Sequence, residues 1–172
     1  MVNILLLGDQ GVGKTSWMNR LLGYAFSNSY MTTIGKNMEE IIINDRHIFI
    51  HDIGGSERYA GVTDLYYDIA DGALIFYDVT KENNRIDYWK RKLKDRHIPY
   101  RIIGNKIDLI VNKPSKYRIS CKENDTVDQP LIELLLDIPV IFESSSTILE
   151  RLFDYLYSYY VHLSTISERI VE

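Results

Sequence analysis

Residues 2–15 read VNILLLGDQGVGKT, and this stretch decides the fold. The short apolar run Val2–Leu7 predicts a strand that is buried on both faces of a sheet. Next, Gly8–Thr15 fits the pattern G-x-x-x-x-G-K-[ST], and Lys14–Leu22 continues as a predicted helix. A glycine-rich loop between a strand and a helix offers backbone N–H groups to a phosphate chain. Gly8–Thr15 is therefore predicted to be a phosphate-binding loop, called the phosphate loop below.

Two side chains of this loop suit a nucleotide and its metal. Lys14 would supply a cation to the β and γ phosphates, and the Thr15 hydroxyl would ligate Mg²⁺. The competing interpretation is a chance glycine turn, which the flanking strand and helix disfavour. ATPases, GTPases and nucleotide kinases all share such a loop, so the base has to be decided elsewhere.

The base is indicated by Asn105–Asp108, which reads NKID and follows the apolar run Tyr100–Gly104. That position is the carboxyl end of a predicted strand, where open α/β sheets bind ligands. A carboxylate at Asp108 can accept hydrogen bonds from N1–H and the exocyclic amine of guanine, a donor pair that adenine does not present. With the phosphate loop upstream, we expect guanine to be preferred.

The remaining pattern predicts an α/β fold with a mostly parallel sheet flanked by helices. The turn-favouring pair Asn44-Asp45 separates two β-rich segments, which predicts an antiparallel hairpin. The predicted elements beyond the phosphate loop are strands at Glu39–Ile43, His47–Asp52, Ala73–Val79 and Tyr100–Gly104, and a helix at Arg85–Arg96.

Composition narrows the class of protein. The chain has 172 residues, which suits one domain over 1–172. Its net charge of −4 gives no general attraction to nucleic acid, and its one cysteine excludes a disulfide framework. No run approaches the roughly 18–20 apolar residues that cross a bilayer. The chain also ends without a cysteine for prenylation, so we expect no lipid anchor. We further expect an intracellular monomer.

From residue 2 to at least 108 the chain resembles the Ras superfamily of small GTPases. The likeness rests on the phosphate loop, Thr33–Gly35 as a first switch, Asp52–Glu57 as the start of a second switch, and Asn105–Asp108. Within the superfamily the motifs look most like Ran, with Rab second. The resemblance implies a P-loop NTPase fold with six strands, bound GTP or GDP, and Mg²⁺.

The same resemblance implies roles for individual residues. Phe26 would stack on guanine, Tyr30 would cover the phosphates, and Asp52 would hold Mg²⁺ through water. Metal ligation falls to Thr15, Thr33 and Asp52, and catalysis to Lys14, Thr33, Gly55 and Ser56. The residues expected to bind nucleotide are Asp9, Gln10, Gly11, Val12, Gly13, Lys14, Thr15, Ser16, Phe26, Tyr30, Thr33, Gly55, Asn105, Lys106, Asp108, Ser120, Cys121 and Lys122.

Three residues depart from the family pattern near the expected chemistry. Ser56 stands where the family has the glutamine that orients the attacking water, and its hydroxyl is too short for that role. Gln10 adds bulk in the phosphate loop, which would obstruct an arginine finger. Gly54 replaces the usual alanine and adds backbone freedom. We therefore expect slow GTP hydrolysis.

The chain is also unusual after residue 108. If Ser120–Lys122 contacts guanine, the helix that the family has before this segment is missing. A rival assignment uses Pro139–Glu143 as the last strand, Ser144–Ser146 as the base-contacting segment, and a helix at Thr126–Asp137. Ser120–Lys122 is favoured because it contains the lysine. A further amphipathic helix is predicted at about 146–162.

These features predict a GTP-dependent switch that presents segments 26–40 and 52–67 to effector proteins and is served by exchange and activating proteins. The Ran likeness would place it in the nucleus as well as the cytoplasm. The alternative is a hydrolysis-deficient module that binds GTP and captures host or cellular effectors. Ser56 and Gln10 favour the alternative, whereas the retained metal residues favour the switch.

Overall fold

The computed structural model describes residues 1–29, 33, 36–54, 65–110, 117–123 and 127–139. These residues form one six-stranded sheet in the order β2-β3-β1-β4-β5-β6, together with three α-helices. The strands are β1 (Val2–Gly8), β2 (Lys36–Ile43), β3 (Arg46–Ile53), β4 (Gly72–Asp78), β5 (Tyr100–Asn105) and β6 (Tyr117–Ile119). The helices are α1 (Lys14–Leu21), α2 (Ile86–Lys94) and α3 (Gln129–Asp137).

The sheet is parallel except at one edge. Strand β1 lies between β3 and β4, and the pairs β4–β5 and β5–β6 are parallel as well. Only β2 runs antiparallel, joined to β3 by Asn44 and Asp45 with φ of 49° and 59°. Both residues have the left-handed backbone that a tight hairpin turn requires. The predicted hairpin and the predicted α/β class are confirmed.

Both faces of β1 are buried, which explains its unbroken apolar run. Ile4 and Leu6 face a core that also contains Trp17 of α1 and Leu131 and Leu134 of α3. Leu5 and Leu7 face a second core on the opposite side, which contains Trp89 and Leu93 of α2. The central strand is thus fixed between two helical layers, and its carboxyl end holds Gly8 rigidly at the start of the phosphate loop.

The predicted helices and strands agree with the observed ones except at their ends. The helix expected at Arg85–Arg96 is shorter, since α2 runs from Ile86 to Lys94. Helix α3 begins at Gln129 with Pro130 in its first turn, three residues later than the Thr126 of the rival assignment. The helix predicted at about 146–162 lies outside the described residues. No helix in the described part of the chain is long and apolar enough to span a membrane.

Candidate nucleotide site

A cavity of about 710 Å³ opens where the phosphate loop, the start of α1 and the carboxyl end of β5 meet. Its walls come from six separate stretches of the chain, as expected for a site at the carboxyl ends of parallel strands. The lining residues are Gln10, Gly11, Gly13, Lys14, Thr15, Ser16, Asn19, Ala25, Phe26, Ser27, Asn28, Ser29, Thr33, Asn37, Asn105, Lys106, Asp108, Leu109, Cys121 and Lys122.

Three glycines with positive φ determine the backbone conformation of the phosphate loop. Gly8, Gly11 and Gly13 have φ of 136°, 76° and 97°, and α1 begins directly after Gly13. A side chain at Gly8 would collide with the carbonyl oxygen of Phe76 on β4. The loop therefore lies tight against the sheet, and its backbone leads straight into the N-terminus of α1, where partial positive charge favours an anion.

Lys14 is held inside this loop by backbone carbonyls. Its Nζ donates to the carbonyl oxygens of Gly8 at 2.8 Å and Asp9 at 3.0 Å, and the side chain is buried. Burial lowers the pKa of Lys14 to about 8, although the carboxylates of Asp52 and Asp9 act in the opposite direction. The amine thus remains mainly charged at neutral pH, in a position where a phosphate would meet it.

Three oxygen-bearing side chains meet beside Lys14. The Thr15 and Thr33 hydroxyls lie 2.9 Å apart, and Thr15 Oγ1 donates a short hydrogen bond to Oδ2 of Asp52. Asp52 is fully buried at the end of β3, and its Oδ1 has no hydrogen-bond partner. Burial raises the pKa of Asp52, against the hydrogen bond from Thr15 and the charge of Lys14.

This donor set fits Mg²⁺. Hydroxyl and carboxylate oxygens are its preferred protein ligands, and a buried carboxylate oxygen without a partner is suited to accept from a metal-bound water. The described residues contain no group of three or more His, Cys, Asp or Glu that could hold a metal ion by themselves. Mg²⁺ is usually bound by a few protein oxygens together with oxygens of a substrate phosphate, and not by an all-protein cage.

Asn105 joins the phosphate loop to the base motif, Asn105–Asp108. Its Nδ2 donates to the carbonyl oxygen of Val12 at 2.9 Å, and its Oδ1 accepts from the backbone N–H groups of Lys106 at 2.8 Å and Cys121 at 3.4 Å. Asn105 is itself buried. One amide therefore fixes three loops that are far apart in the sequence.

Ser120–Lys122 lies beside Asp108. Strand β6 pairs in parallel with β5, with Ile119 opposite Asn105, so Ser120 follows at the same edge of the sheet. The Ser120 hydroxyl donates to Oδ1 of Asp108 at 2.8 Å, while Cys121 and Lys122 line the cavity. The competing segment Ser144–Ser146 lies outside the described residues. The structure thus brings the favoured segment to the base motif.

Comparison with known proteins identifies the family. Residues 3–108 match the family model described as Roc, Ras of Complex, domain of DAPkinase, which is more than half of the chain. A Ypt/Rab-type GTPase, avaA of Emericella nidulans, is 35% identical over 142 residues, covering 75% of this chain and 68% of that protein. The chain belongs to the Ras superfamily of GTPases.

Two further relatives of this superfamily member are Rab7-type proteins. The Ras-related protein Rab7 of Drosophila melanogaster is 35% identical over 122 residues, which is 63% of this chain and 59% of the fly protein. Ras-related protein Rab-7b of Paramecium octaurelia is 32% identical over 143 residues, or 74% and 69% of the two chains. These relatives support the Rab part of the sequence resemblance, and the Ran likeness rests on the motifs alone.

Not every residue predicted for the site lines the cavity of this superfamily member. The Asp9 carboxylate faces Arg85, Val12 offers its carbonyl to Asn105, and Ser120 is fully buried against Asp108. These three act on the loops around the cavity, because their polar groups are already engaged there. Tyr30, Gly55 and Ser56 lie outside the described residues.

Sequence reasoning missed a buried carboxylate at the carboxyl end of β4. Asp78 accepts from Lys106 Nζ at 2.7 Å and from the Thr80 hydroxyl at 2.6 Å. Burial would raise the pKa of Asp78, but the hydrogen bonds from Lys106 and Thr80 outweigh it and lower the pKa. The signal was present, since a polar residue ending an apolar strand lies at the same sheet edge as the base motif.

Sequence reasoning also missed several lining residues. Asn19, Ala25, Ser27, Asn28, Ser29, Asn37 and Leu109 lie on the cavity wall but belong to no recognised motif. These residues lie in a helix, a strand and loops and share no distinctive spacing, so only the fold brings them to the site.

Proposed function

We propose that this protein is a guanine-nucleotide-binding switch of the small GTPase type. The observation that carries the proposal is the contact of Asn105 with Val12, which places the base motif against the phosphate loop in one cavity. A phosphate-binding loop alone would fit any nucleotide. A phosphate-binding loop that shares its cavity with Asp108 would select a purine with the donor pattern of guanine.

In this function Lys14 would neutralise the β and γ phosphates, and the loop amides would bind their oxygens. Thr15, Thr33 and Asp52 would hold Mg²⁺, which when bound neutralises charge on the phosphate chain. Asp108 would accept the guanine donors, while Phe26, which is half-buried and lines the cavity, would cover the ring. Lys106, Cys121 and Lys122 would complete the wall around the base.

The switching itself would depend on Thr33. Its hydroxyl lies 2.9 Å from that of Thr15, so the Thr33 side chain, which belongs to the predicted segment 26–40, reaches the metal position. A γ-phosphate and its metal would tether this segment, and hydrolysis would release it. Effectors would read segments 26–40 and 52–67, where the described Met38 and Leu65 are 45% and 68% exposed. Exchange and activating proteins would act on the same region.

We further propose that hydrolysis is slow. Ser56 cannot orient water as a glutamine does, and Gln10 lines the cavity where an arginine finger would enter. Single-turnover assays should show Ser56→Gln hydrolysing GTP at least about tenfold faster than the parent, since positioning the water is a transition-state effect. A parent rate equal to that of ordinary small GTPases would contradict this part.

The alternative is a GTP-binding interaction module that does not turn over. Its supporting observations are Ser56 and Gln10, and the same single-turnover assay decides, because the module would leave GTP intact even in Ser56→Gln. The relatives are named as Rab and Ypt/Rab-type GTPases, which favours a Rab-type role over a Ran-type one. A Ran-type role in transport to the nucleus has only the sequence motifs in its support.

The binding proposal is tested by affinity. The purified protein with Mg²⁺ should bind GDP and GTP at least about a hundredfold more tightly than ADP and ATP, because adenine does not present the N1–H and 2-amino donors that the Asp108 carboxylate would accept from. Asp108→Ala should lose that preference, and Lys14→Ala should lose affinity for both purines. Asp87→Ala is the control, since that carboxylate is 86% exposed on α2. Equal affinity for GDP and ADP in the parent would overturn the proposal.

A further inference from the structure

An ion pair ties the phosphate loop to the start of α2. Arg85, the residue before α2, donates from Nε to Oδ1 of Asp9 at 2.8 Å and from its backbone N–H to Oδ2 at 3.3 Å. Both carboxylate oxygens are thus engaged. The side chains of Arg85 and Asp9 are 37% and 23% exposed, so the pair is half-buried at the rim of the site.

The guanidinium of Arg85 is itself held in place. It lies 5.4 Å from the ring centre of Tyr88 and 5.9 Å from that of Trp89. Trp89 is buried in the core between α2 and the sheet. Arg85 is therefore held against the packed core, and its guanidinium makes cation–π contacts with both rings.

Asp9 connects Arg85 to Lys14. The backbone carbonyl of Asp9 accepts from Lys14 Nζ at 3.0 Å, so a shift of Asp9 moves one of the two groups that orient the ammonium. We propose that Arg85 is a positioning residue that holds the phosphate loop through Asp9 and thereby fixes Lys14 for the nucleotide phosphates. This inference rests on the function proposed above.

The segment that ends at Arg85 also touches the base motif. At its start Asp78 binds Lys106, and between them Asn84 closes the turn, accepting from the Asp78 N–H at 3.2 Å and donating to the Lys81 carbonyl at 2.7 Å. Residues 78–85 thus contact the base motif at one end and the phosphate loop at the other. A displaced Arg85 would loosen a connection between the two halves of the site.

The Asp9→Asn variant distinguishes a role in positioning from a role of charge alone, because the two predict opposite changes in the rate of GDP release. If Asp9 acted only through its negative charge, Asp9→Asn would remove repulsion from the phosphates and slow GDP release. If Asp9 acts as the link to Arg85, the same variant frees the loop and speeds release. Arg85→Gln speeds release under both views, so Asp9→Asn is the decisive change.

The experiment measures dissociation of fluorescent GDP from the Mg²⁺-loaded full chain. Asp9→Asn and Arg85→Gln should each release GDP about three- to tenfold faster, the range expected for a half-buried pair with an extra backbone hydrogen bond. The double variant should be no faster than the faster single variant, because both changes break one contact. Phosphorus NMR of bound GDP should show shifted β-phosphate resonances in both single variants.

Lys90→Gln is the matched control. It removes a similarly exposed cation from α2, whose partner Asp87 belongs to the same helix. Lys90→Gln should release GDP at the parent rate, and Arg85→Lys should recover part of the loss. If Arg85→Gln does not fold, Asp9→Asn and Arg85→Lys decide the question.

Slower release from Asp9→Asn, or release at the parent rate from both single variants, overturns the inference while leaving the proposed function intact. A parent protein that binds no GDP overturns both.

Discussion

At the scale of single residues, two glycines share a backbone conformation but differ in their surroundings. Gly13 and Gly23 have φ of 97° and 83°. A Cβ at Gly13 would overlap the side-chain amide of Asn105, whereas a Cβ at Gly23 would meet nothing within 4 Å. The two positions therefore separate the cost of the left-handed backbone from the cost of a collision.

We predict that Gly13→Ala abolishes GDP retention and that Gly23→Ala leaves it unchanged. Gly23→Ala should lower the free energy of unfolding by about 1 kcal/mol through its positive φ alone. Gly13→Ala adds displacement of Asn105, which holds three loops, so its loss should be about 2 to 4 kcal/mol. Urea unfolding and nucleotide content of the purified variants measure both effects, and equal behaviour of the two variants would contradict the role of Asn105.

Cys121 offers a second test at this scale. Burial raises the pKa of this thiol to about 12, so the thiol stays protonated through neutral and mildly alkaline pH. Alkylation requires the thiolate. At about pH 8, iodoacetamide should modify the folded chain at least about a hundredfold more slowly than the chain in urea, because its ordinary pKa is near 8.5. As the sequence has one cysteine, the mass of the adduct reports on this site alone.

At the scale of elements, the parts of the fold that the sequence predicts are those with a strong local signal. Strand β1 has an unbroken apolar run, the β2–β3 turn has Asn44-Asp45, and α2 has a one-sided apolar face. Strand β6 has only the three residues Tyr117–Ile119, which is too short for a period to show. Its place beside β5 depends on strand pairing, which the sequence does not show. For this reason the sequence left two candidates for the base-contacting segment, Ser120–Lys122 and Ser144–Ser146.

The end of β4 allows a prediction from the buried carboxylate of Asp78. Asp78→Asn should lower the free energy of unfolding by about 1 to 3 kcal/mol at neutral pH, because Lys106 loses its charged partner. The pKa of Asp78 is lowered in the folded chain, so the stabilisation is present above the ordinary value of 3.8 and is lost as the pH falls through the native value.

The parent and Asp78→Asn should therefore converge in stability in acid. Asp71→Asn is the control, since Asp71 lies just before the opposite end of β4 and accepts from the Asn3 N–H at 2.7 Å on the exposed surface. Urea midpoints across a pH series measure the difference. A gap between parent and Asp78→Asn that widens in acid would contradict the ion pair with Lys106.

At the scale of the whole molecule, the site is assembled from residues that are distant in the chain. The motifs predict that Gly8–Thr15 and Asn105–Asp108 belong to one site, because each follows a strand of a parallel sheet. They do not predict that Arg85 reaches Asp9 or that Asp78 reaches Lys106, since such contacts depend on how loops of different strands lie against each other. The spacing of the motifs thus predicts which residues contact the nucleotide. The residues that hold those contacts in place, such as Arg85 and Asp78, are recognised only in the folded structure.

A site built from so many segments should couple ligand binding to global stability. GDP at a free concentration of about a thousand times its Kd should stabilise the folded chain by about 4 kcal/mol, which raises Tm by on the order of 10 °C for a domain of this size. ADP at the same concentration should stabilise the chain by only about 1.4 kcal/mol or less, because adenine lacks the N1–H and 2-amino donors for Asp108 and binds at least about a hundredfold more weakly. Chelation of Mg²⁺ should reduce the shift with GDP, since Thr15 and Asp52 would lose the ion that joins them to the phosphates. Differential scanning fluorimetry measures all three, and an equal shift with GDP and ADP would mean that the base motif does not select the ligand.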